Sequence, residues 1–172
     1  ITGYEIKDAP GRTFYRNASS SSRKGIESSA EIQFSSYLKS VVNYTFSKFK
    51  YNDFITRSSN FSGNIQPLIP SHKWNFITMI NAHNWVNTQI NVSYNSAMFV
   101  DDANKTKVNG FYEINGAIHT GSKISSKFTA GITANNLFNL MDYSNFRANA
   151  TLGRYYEAAS PQNFSLFVKY TF

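Results

Sequence analysis

The sequence predicts an all-β fold, an antiparallel transmembrane β-barrel segment of about seven to eight strands. Three observations support this. Apolar residues recur at every second position through most of the chain. Aromatic residues make up 16% of the sequence and charged residues only 16%. The connections between these predicted strands alternate between short and long, as in membrane barrels.

Alternation of apolar and polar residues defines the predicted strands, because side chains of a strand point to opposite faces in turn. Residues 1–6 are predicted to be the end of one more strand. The complete strands are predicted at about residues 23–34, 39–51, 73–82, 86–95, 111–121, 127–135 and 164–172.

The two predicted faces differ in composition. One is apolar and the other carries mainly Asn, Gln, Ser, Thr and Glu, which is typical of a barrel with lipid outside and a wet lumen inside. Ile77, Met79 and Phe167 are apolar exceptions on the lumen side. Aromatic residues on the apolar face favour girdles at the membrane interfaces. They are Tyr44, Phe46, Trp74, Phe76, Tyr94, Tyr112, Phe128, Tyr170 and Phe172.

The connections between strands predict a segment of a larger barrel. Short turns are expected at 35–37, 83–85 and 122–126, and long polar loops at 53–71, 101–110 and 143–160. About seven strands do not close a single-chain bacterial barrel, which uses an even number. An open edge in lipid would leave backbone groups unsatisfied. The chain is therefore expected to pair with further strands at both edges.

No enzyme, metal or cofactor site is predicted. The sequence contains no Cys, which excludes thiolate metal sites, and His72, His83 and His119 lie in three separate segments. The net charge of +7 does not indicate nucleic-acid binding, because the basic residues are spread over loops. Most are predicted to face outside, where they would meet lipopolysaccharide phosphates or attract an anionic chelate. They are Arg12, Arg16, Arg23, Lys24, Arg57, Lys105, Lys107, Arg147 and Arg154.

Four stretches resemble, in the right order, motifs of the C-terminal barrel segment of TonB-dependent outer-membrane receptors. They are "FYRNASSSSRKGIE", "SGNIQPLIPSHKWN", "ITANNLFNLMDYS" and "GRYYEAASPQNFSLFVKYTF". Gln162 stands where the family often has Arg. The resemblance covers nearly the whole chain and implies that residues 1–172 belong to a barrel of about 22 strands. It also implies an N-terminal plug domain, which is expected to lie outside this chain.

The resemblance implies import of a scarce nutrient complex, most often a ferric siderophore, across the outer membrane of a Gram-negative bacterium. Cobalamin, haem, copper complexes and glycans remain open. The implied partners are the remaining strands and plug, the TonB complex, outer-membrane lipid and lipopolysaccharide, and the barrel-insertion machinery. In the last long loop, Arg154, Tyr155 and Tyr156 are candidate ligand contacts.

Two other functions compete with this interpretation. One is a passive porin, which would lack the plug. The other is a soluble β-sandwich that binds carbohydrate, which would stay in water without detergent.

The last strand generates a testable prediction, because the resemblance implies that it is the signal read by the insertion machinery. Phe164, Leu166, Val168, Tyr170 and Phe172 form its apolar face. Replacing Phe172 with Ser in the full receptor removes burial worth about 1–3 kcal/mol. We expect the level of inserted receptor in cells to fall much further than this loss explains. Tyr44→Ser removes similar burial elsewhere, and equal levels of both variants would contradict the signal role.

Overall fold

A computed structural model describes residues 2–6, 9–16, 20–56 and 58–172, with side chains described from residue 20 onward. Within these residues it is built from strands, with one 3₁₀ turn at Thr151–Gly153. The strands are β1 (Thr2–Ile6), β2 (Ala9–Arg16), β3 (Ser20–Ser35), β4 (Leu38–Asp53), β5 (His72–Ala82), β6 (Val86–Asn95), β7 (Met98–Phe99), β8 (Lys107–Val108), β9 (Phe111–Thr120), β10 (Phe128–Asn135), β11 (Tyr143–Ser144), β12 (Glu157–Ala158) and β13 (Asn163–Tyr170).

A 7-stranded sheet in the order β13-β10-β9-β6-β5-β4-β3 forms the main body. Every neighbouring pair is antiparallel, so the predicted all-β antiparallel fold is confirmed. The sheet does not close on itself, and β3 and β13 are its edges. β1 and β2 pair separately as a hairpin. The sequence predicted β1 but not β2.

Apart from register shifts at the two ends of the β3–β4 pair, the strand register places the even-numbered residues of the main sheet on one face, which we call the apolar face. A row of aromatic side chains crosses it, with Tyr44 opposite Trp74, Trp74 opposite Tyr94 and Tyr94 opposite Tyr112. The ring centroids of Tyr44 and Trp74 lie 4.2 Å apart, and those of Tyr94 and Tyr112 lie 4.6 Å apart. This row matches one of the two predicted girdles.

A second aromatic group lies on the apolar face at the other end of the strands. Phe128 is opposite Tyr170, with ring centroids 4.8 Å apart. The Tyr170 and Phe172 rings meet edge to face at 4.9 Å. The apolar residues between the two aromatic groups are exposed in the chain alone, including Phe76 at 42%, Ile132 at 43% and Ile118 at 47%.

Odd-numbered residues of the same strands form the polar face, where amide and hydroxyl side chains bond across neighbouring strands. The Ser29 hydroxyl donates to Asn43 Oδ1 at 2.7 Å, and Asn75 Nδ2 donates to Asn91 Oδ1 at 2.7 Å. In both bonds the donor and the acceptor are uncharged side chains. Ile77, Met79 and Phe167 occupy odd-numbered positions and so lie on this face, as predicted.

The connections alternate as predicted. Short turns at 36–37, 83–85 and 121–127 lie at one end of the sheet, which we call the short-turn end. The long connections, loop A (54–71), loop B (96–110) and loop C (136–162), all emerge at the opposite end. Antiparallel pairing requires this, because every second connection returns to the same end.

Among the described residues, the buried apolar side chains lie in the long loops and at the sheet end from which those loops emerge. Phe54 is 2% exposed, Met98 5%, Val100 0% and Val108 3%. Residues 101–110, predicted as a polar loop, lie within loop B. β7 and β8 pair within loop B, and the apolar residues 97–100 bury themselves there because the sheet offers no enclosed interior.

A polar cluster joins the loops, and we call its members Tyr51, Asn64, Asp102 and Asn149 the loop clamp. Asp102 is 1% exposed. The Tyr51 hydroxyl donates to Asp102 Oδ1 at 2.6 Å, and Asn149 Nδ2 donates to Asp102 Oδ2 at 2.9 Å. Asn64 Nδ2 donates to the Asp102 carbonyl at 2.8 Å. Loops A, B and C are thus connected through one buried residue.

The two-faced register predicts unequal tolerance to charge. Val92→Arg and Ile132→Arg place a guanidinium on the apolar face and should cost about 2–4 kcal/mol of barrel stability near the membrane midplane. Asn91→Arg and Thr133→Arg change the adjacent residues on the polar face and should cost much less. Folding titrations of the full receptor in lipid measure the difference. Equal costs on both faces would contradict a membrane location.

The loop clamp predicts a second stability effect. Asp102→Ala leaves the Tyr51 hydroxyl and the Asn149 amide without their buried acceptor, which should cost about 2–5 kcal/mol in local loop stability. Hydrogen exchange of loops A, B and C should then rise together. Asp53→Ala serves as the control, because it removes an exposed carboxylate from β4, the strand that carries Tyr51. Faster exchange confined to loop B would show that the clamp does not couple the loops.

Candidate functional site

A cavity of about 240 Å³ opens on the polar face at the long-loop end, and we call it the aromatic pocket. Phe111 and Glu113 of β9 and Asn135 of β10 form its floor. Asp142 and Tyr143 of loop C form its wall. The pocket therefore lies where the sheet ends and loop C begins, between the polar face and the surface of the long loops.

Aromatic rings from β9 and loop C pack together around Phe111 and Tyr143 of the pocket lining. The Tyr143 and Tyr156 rings pack edge to face with centroids 4.4 Å apart. Phe111 and Phe146 stack at 5.7 Å, and Phe146 lies 6.4 Å from Tyr156. Pairing of β11 with β12 brings Tyr143 and Tyr156 together. The arrangement offers ring faces and edges to a flat or partly apolar ligand.

Asn136 holds the start of loop C in place. It is 9% exposed, and its Oδ1 accepts from Leu140 N at 2.8 Å while its Nδ2 donates to Leu140 O at 2.9 Å and Ser160 O at 3.2 Å. Its φ of 50° is left-handed, a conformation that Asn tolerates well. The "ANNLFNL" stretch is thus a tight turn that closes on the start of the last strand.

Gln162 links the C-terminal end of loop C to the turn at its start by two hydrogen bonds. Its Nε2 donates to Leu137 O at 2.6 Å and its backbone N donates to Asn139 Oδ1 at 3.1 Å. A glutamine side chain therefore supplies the link to the turn at this position.

The pocket is acidic. Burial raises the pKa of the Asp142 carboxyl above its ordinary value, and the nearby Glu113 raises it further. Asn115 Nδ2 donates to Glu113 Oε1 at 2.9 Å. At the rim, Arg147 Nη2 lies 3.2 Å from Glu157 Oε1. Two carboxyl groups that line one cavity disfavour a negatively charged group between them, whereas a neutral or cationic group meets no such repulsion.

The three candidate ligand contacts predicted from the sequence occupy different settings. The Tyr156 ring packs against Tyr143 of the pocket wall, and the Tyr155 carbonyl accepts a hydrogen bond from Arg147 N at 2.8 Å. Arg154 is exposed after the 3₁₀ turn, and its side chain makes no hydrogen bond or ion pair with another described residue. The structure therefore packs Tyr156 against Tyr143, which lines the pocket, and leaves Arg154 at the surface.

Sequence reasoning missed Phe111, Tyr143 and Phe146 as site residues. Their signal was present, because a polar loop seldom needs aromatic residues and residues 143–156 contain several. What was missing was the pairing of β11 with β12, which folds the loop back on itself.

The histidines do not form a common site. His72 shares a hydrogen bond with the Tyr44 hydroxyl at 2.8 Å on the apolar face, His83 lies in a short turn, and His119 lies on the polar face of β9. Among the described residues, no group of three or more His, Cys, Asp or Glu side chains is arranged to hold a metal ion.

No helix in the described part of the chain is long and apolar enough to cross a membrane. Arg12, Arg16 and Arg57, which the sequence predicted at the outer surface, lie outside the residues with described side chains.

Known structures resemble this fold at low sequence identity. The siderophore receptor PiuA from Acinetobacter baumannii matches with a TM-score of 0.73 and 14% identity over 87% of this chain and 22% of its own. The ferric yersiniabactin uptake receptor FyuA from Yersinia pestis matches with a TM-score of 0.73 and 14% identity, over 91% and 24%. BauA, the ferric preacinetobactin receptor from Acinetobacter baumannii, has a TM-score of 0.68 and 16% identity, over 87% and 22%.

This chain spans about a quarter or less of the length of those receptors. No curated protein sequence matches it. A family model described as "TonB dependent receptor-like, beta-barrel" matches residues 2–137, well over half of the chain. Proteins of this family are receptors and transporters and not enzymes. With its open antiparallel sheet, alternating loops and separate polar and apolar faces, the chain belongs to the TonB-dependent receptor β-barrel family.

Proposed function

We propose that the chain is the C-terminal part of the barrel of an outer-membrane transporter that imports a ferric siderophore in a Gram-negative bacterium. The aromatic pocket is the observation that carries the substrate proposal. It lies on the polar face at the long-loop end, where a solute entering the lumen from outside would first meet the barrel wall. The siderophore receptors of similar fold support the same substrate class.

In this proposal the two faces of the sheet meet two solvents. The apolar face contacts lipid, and its aromatic row lies at the interface nearer the long loops. The polar face lines a hydrated lumen in which Asn and Ser side chains are already paired with one another. Such a wall binds a passing solute weakly, so it favours passage over retention.

The chemistry of the pocket limits the part of the ligand that it would hold. Ferric chelates often carry aromatic or heterocyclic groups, and the Tyr143, Phe146 and Tyr156 rings can pack against these. Glu113 and Asp142 disfavour an anionic group at the floor. We therefore infer that the pocket contacts a neutral or cationic arm of the chelate. Arg154 at the surface would attract its anionic part.

The remaining roles in the proposal belong to other parts of the receptor. The plug and the segment that engages TonB would lie outside residues 1–172, and the other strands would pair with β3 and β13 to close the barrel. Energy for import would reach the plug through the TonB complex. The residues of this chain then contribute wall, lumen lining and loops.

The substrate prediction is tested in the full-length receptor, expressed in cells that lack other siderophore receptors. Radioactive iron uptake is measured with a panel of ferric chelates, and cobalamin and haem serve as competing substrates. Tyr156→Ala should weaken binding of the accepted chelate roughly tenfold, since an aromatic contact contributes about 0.5–1.5 kcal/mol beyond its buried area.

Tyr112→Ala is the matched control, because Tyr112 lies on β9 but on the apolar face. It should leave chelate binding unchanged. Uptake of cobalamin or haem without uptake of iron from any ferric chelate would contradict the siderophore proposal and identify another substrate. Unchanged chelate binding by the Tyr156→Ala variant would show that the aromatic pocket does not contact the chelate.

A further inference from the structure

The separation of polarity between the two faces leaves one ambiguity in the pairing of β13 with β10. A shift of one residue exchanges the faces of a strand, whereas a shift of two residues keeps every side chain on its own face. The polar face of β13 carries Asn163, Ser165, Phe167 and Lys169, and that of β10 carries Thr129, Gly131, Thr133 and Asn135. After a two-residue shift these two sets would still face each other. A further feature is therefore needed to select the observed pairing.

One residue in each set departs from the others. Phe167 is the apolar residue on the polar face of β13, and Gly131 is the one residue of β10 without a side chain. The register places them directly opposite each other. An aromatic ring of one strand therefore faces the position of the neighbouring strand that offers it room.

The Phe167 ring occupies the space that a side chain at position 131 would need. A Cβ atom added to Gly131 would lie 2.7 Å from Phe167 Cε1, 2.7 Å from His119 Cβ and 2.7 Å from the Ile118 carbonyl oxygen. Carbon atoms in contact lie about 3.5–4.0 Å apart, so no such atom fits. The glycine position is therefore a notch that the Phe167 ring fills.

The contact spans three neighbouring strands. His119 of β9 lies opposite Gly131 on its other side, and the ring centroids of His119 and Phe167 lie 6.4 Å apart. The two rings thus approach each other across the glycine. Phe167 is 36% exposed, whereas its neighbours Leu166 and Val168 on the apolar face are 82% and 75% exposed. The notch therefore covers an apolar side chain on the face that is otherwise polar.

We propose that Phe167 and Gly131 form a register lock, which selects one pairing of β13 with β10 from those that polarity alone allows. After a shift of two residues, Phe167 would face Thr129 or Thr133, whose side chains occupy the space that glycine leaves open. Gly131 would at the same time lose the ring that covers it. A cross-strand aromatic ring over a glycine is one of the devices that fix strand register.

Other contacts of the observed pairing select the register less strongly. Asn135 Nδ2 donates to Asn163 Oδ1 at 3.0 Å, but water in a lumen would replace this bond after a shift. Phe128 and Tyr170 are opposite each other on the apolar face, where lipid would cover both rings in any register, given the membrane location of the proposed function. Phe167 has no such substitute, because a shift moves its ring out of the notch and into water.

Disulfide formation in the full-length receptor, folded from urea into neutral detergent, reports the register. Residues 1–172 contain no Cys, and any Cys elsewhere in the receptor is changed to Ser. Thr129→Cys with Lys169→Cys joins opposite residues of the observed pairing. Thr133→Cys with Asn163→Cys, or Thr129→Cys with Thr171→Cys, joins opposite residues only after a shift of two residues. Diagonal neighbours about 7–8 Å apart are too distant for a disulfide, so each pair reports one register.

With Phe167 in place we expect the first pair to cross-link and the shifted pairs to give only traces. Phe167→Ser should raise the shifted products roughly tenfold, as expected for the loss of one aromatic contact. Phe167→Leu, measured in parallel, should raise them less and supplies a variant that folds more readily. Phe164→Ser is the matched control, because it removes the same ring from the same strand opposite Ala134 on the apolar face. Equal amounts of shifted product in the Phe167 and Phe164 variants would refute the lock.

Moving the ring along β13 gives the sharper test. Phe167→Ser combined with Ser165→Phe keeps the composition and the face but places the ring two residues earlier. Position 165 lies opposite Gly131 only in one shifted register, so the cross-link between positions 133 and 163 should become the main product. Retention of the cross-link between positions 129 and 169 would overturn the lock. The result does not depend on the substrate, so this proposal and the proposed function succeed or fail independently.

Discussion

The continuous hydrogen-bonded register of the main sheet is the constraint on which the rest of the structure depends. Each antiparallel pair places even residues opposite even residues, from β3 across to β13, except at the register shifts that end the β3–β4 pair. A shift of one residue in any pair would turn every side chain of the strands beyond it to the other face. Because the two faces differ so strongly in polarity, such a shift would place Asn and Glu in lipid and Leu and Ile in water. The separation of polar and apolar residues between the two faces therefore excludes such a shift, and the register keeps them separate.

This constraint explains where the buried residues lie. A barrel wall has lipid on one side and a wet lumen on the other, so it contributes little enclosed core of its own. Burial instead occurs where the long loops meet, around Val100, Phe54 and Asp102. The Asp102 carboxylate and the apolar side chains beside it stabilise the loops as a group, since loops A, B and C all contact it or its neighbours. Loops held in this way keep the rim of the aromatic pocket in a defined place.

The two faces of the sheet carry different charges at its long-loop end. Glu113 and Asp142 line the aromatic pocket on the polar face. Lys24 and Lys48 lie opposite each other on the apolar face of the β3–β4 hairpin. Adjacent residues of a strand lie on opposite faces, so Arg23 packs over the Phe49 ring at 5.6 Å on the polar face whereas Lys24 lies on the apolar face.

The sequence by itself determined the strands of the main sheet and their faces, because the alternation of apolar and polar residues is a local property of each segment. It also determined the alternation of loop lengths and the resemblance to the receptor family. Only the tertiary structure decided what depends on contacts between distant segments. Tyr51, Asp102 and Asn149 look like ordinary polar residues in the sequence, and their joint burial follows from three loops meeting at one end. Tyr143 and Tyr156 form a wall only because β11 pairs with β12. Lys24 and Lys48 are a pair only because the hairpin register places them opposite each other. A periodic pattern reports which face a residue occupies, whereas its neighbours on that face are chosen by strand pairing and loop packing over long sequence separations.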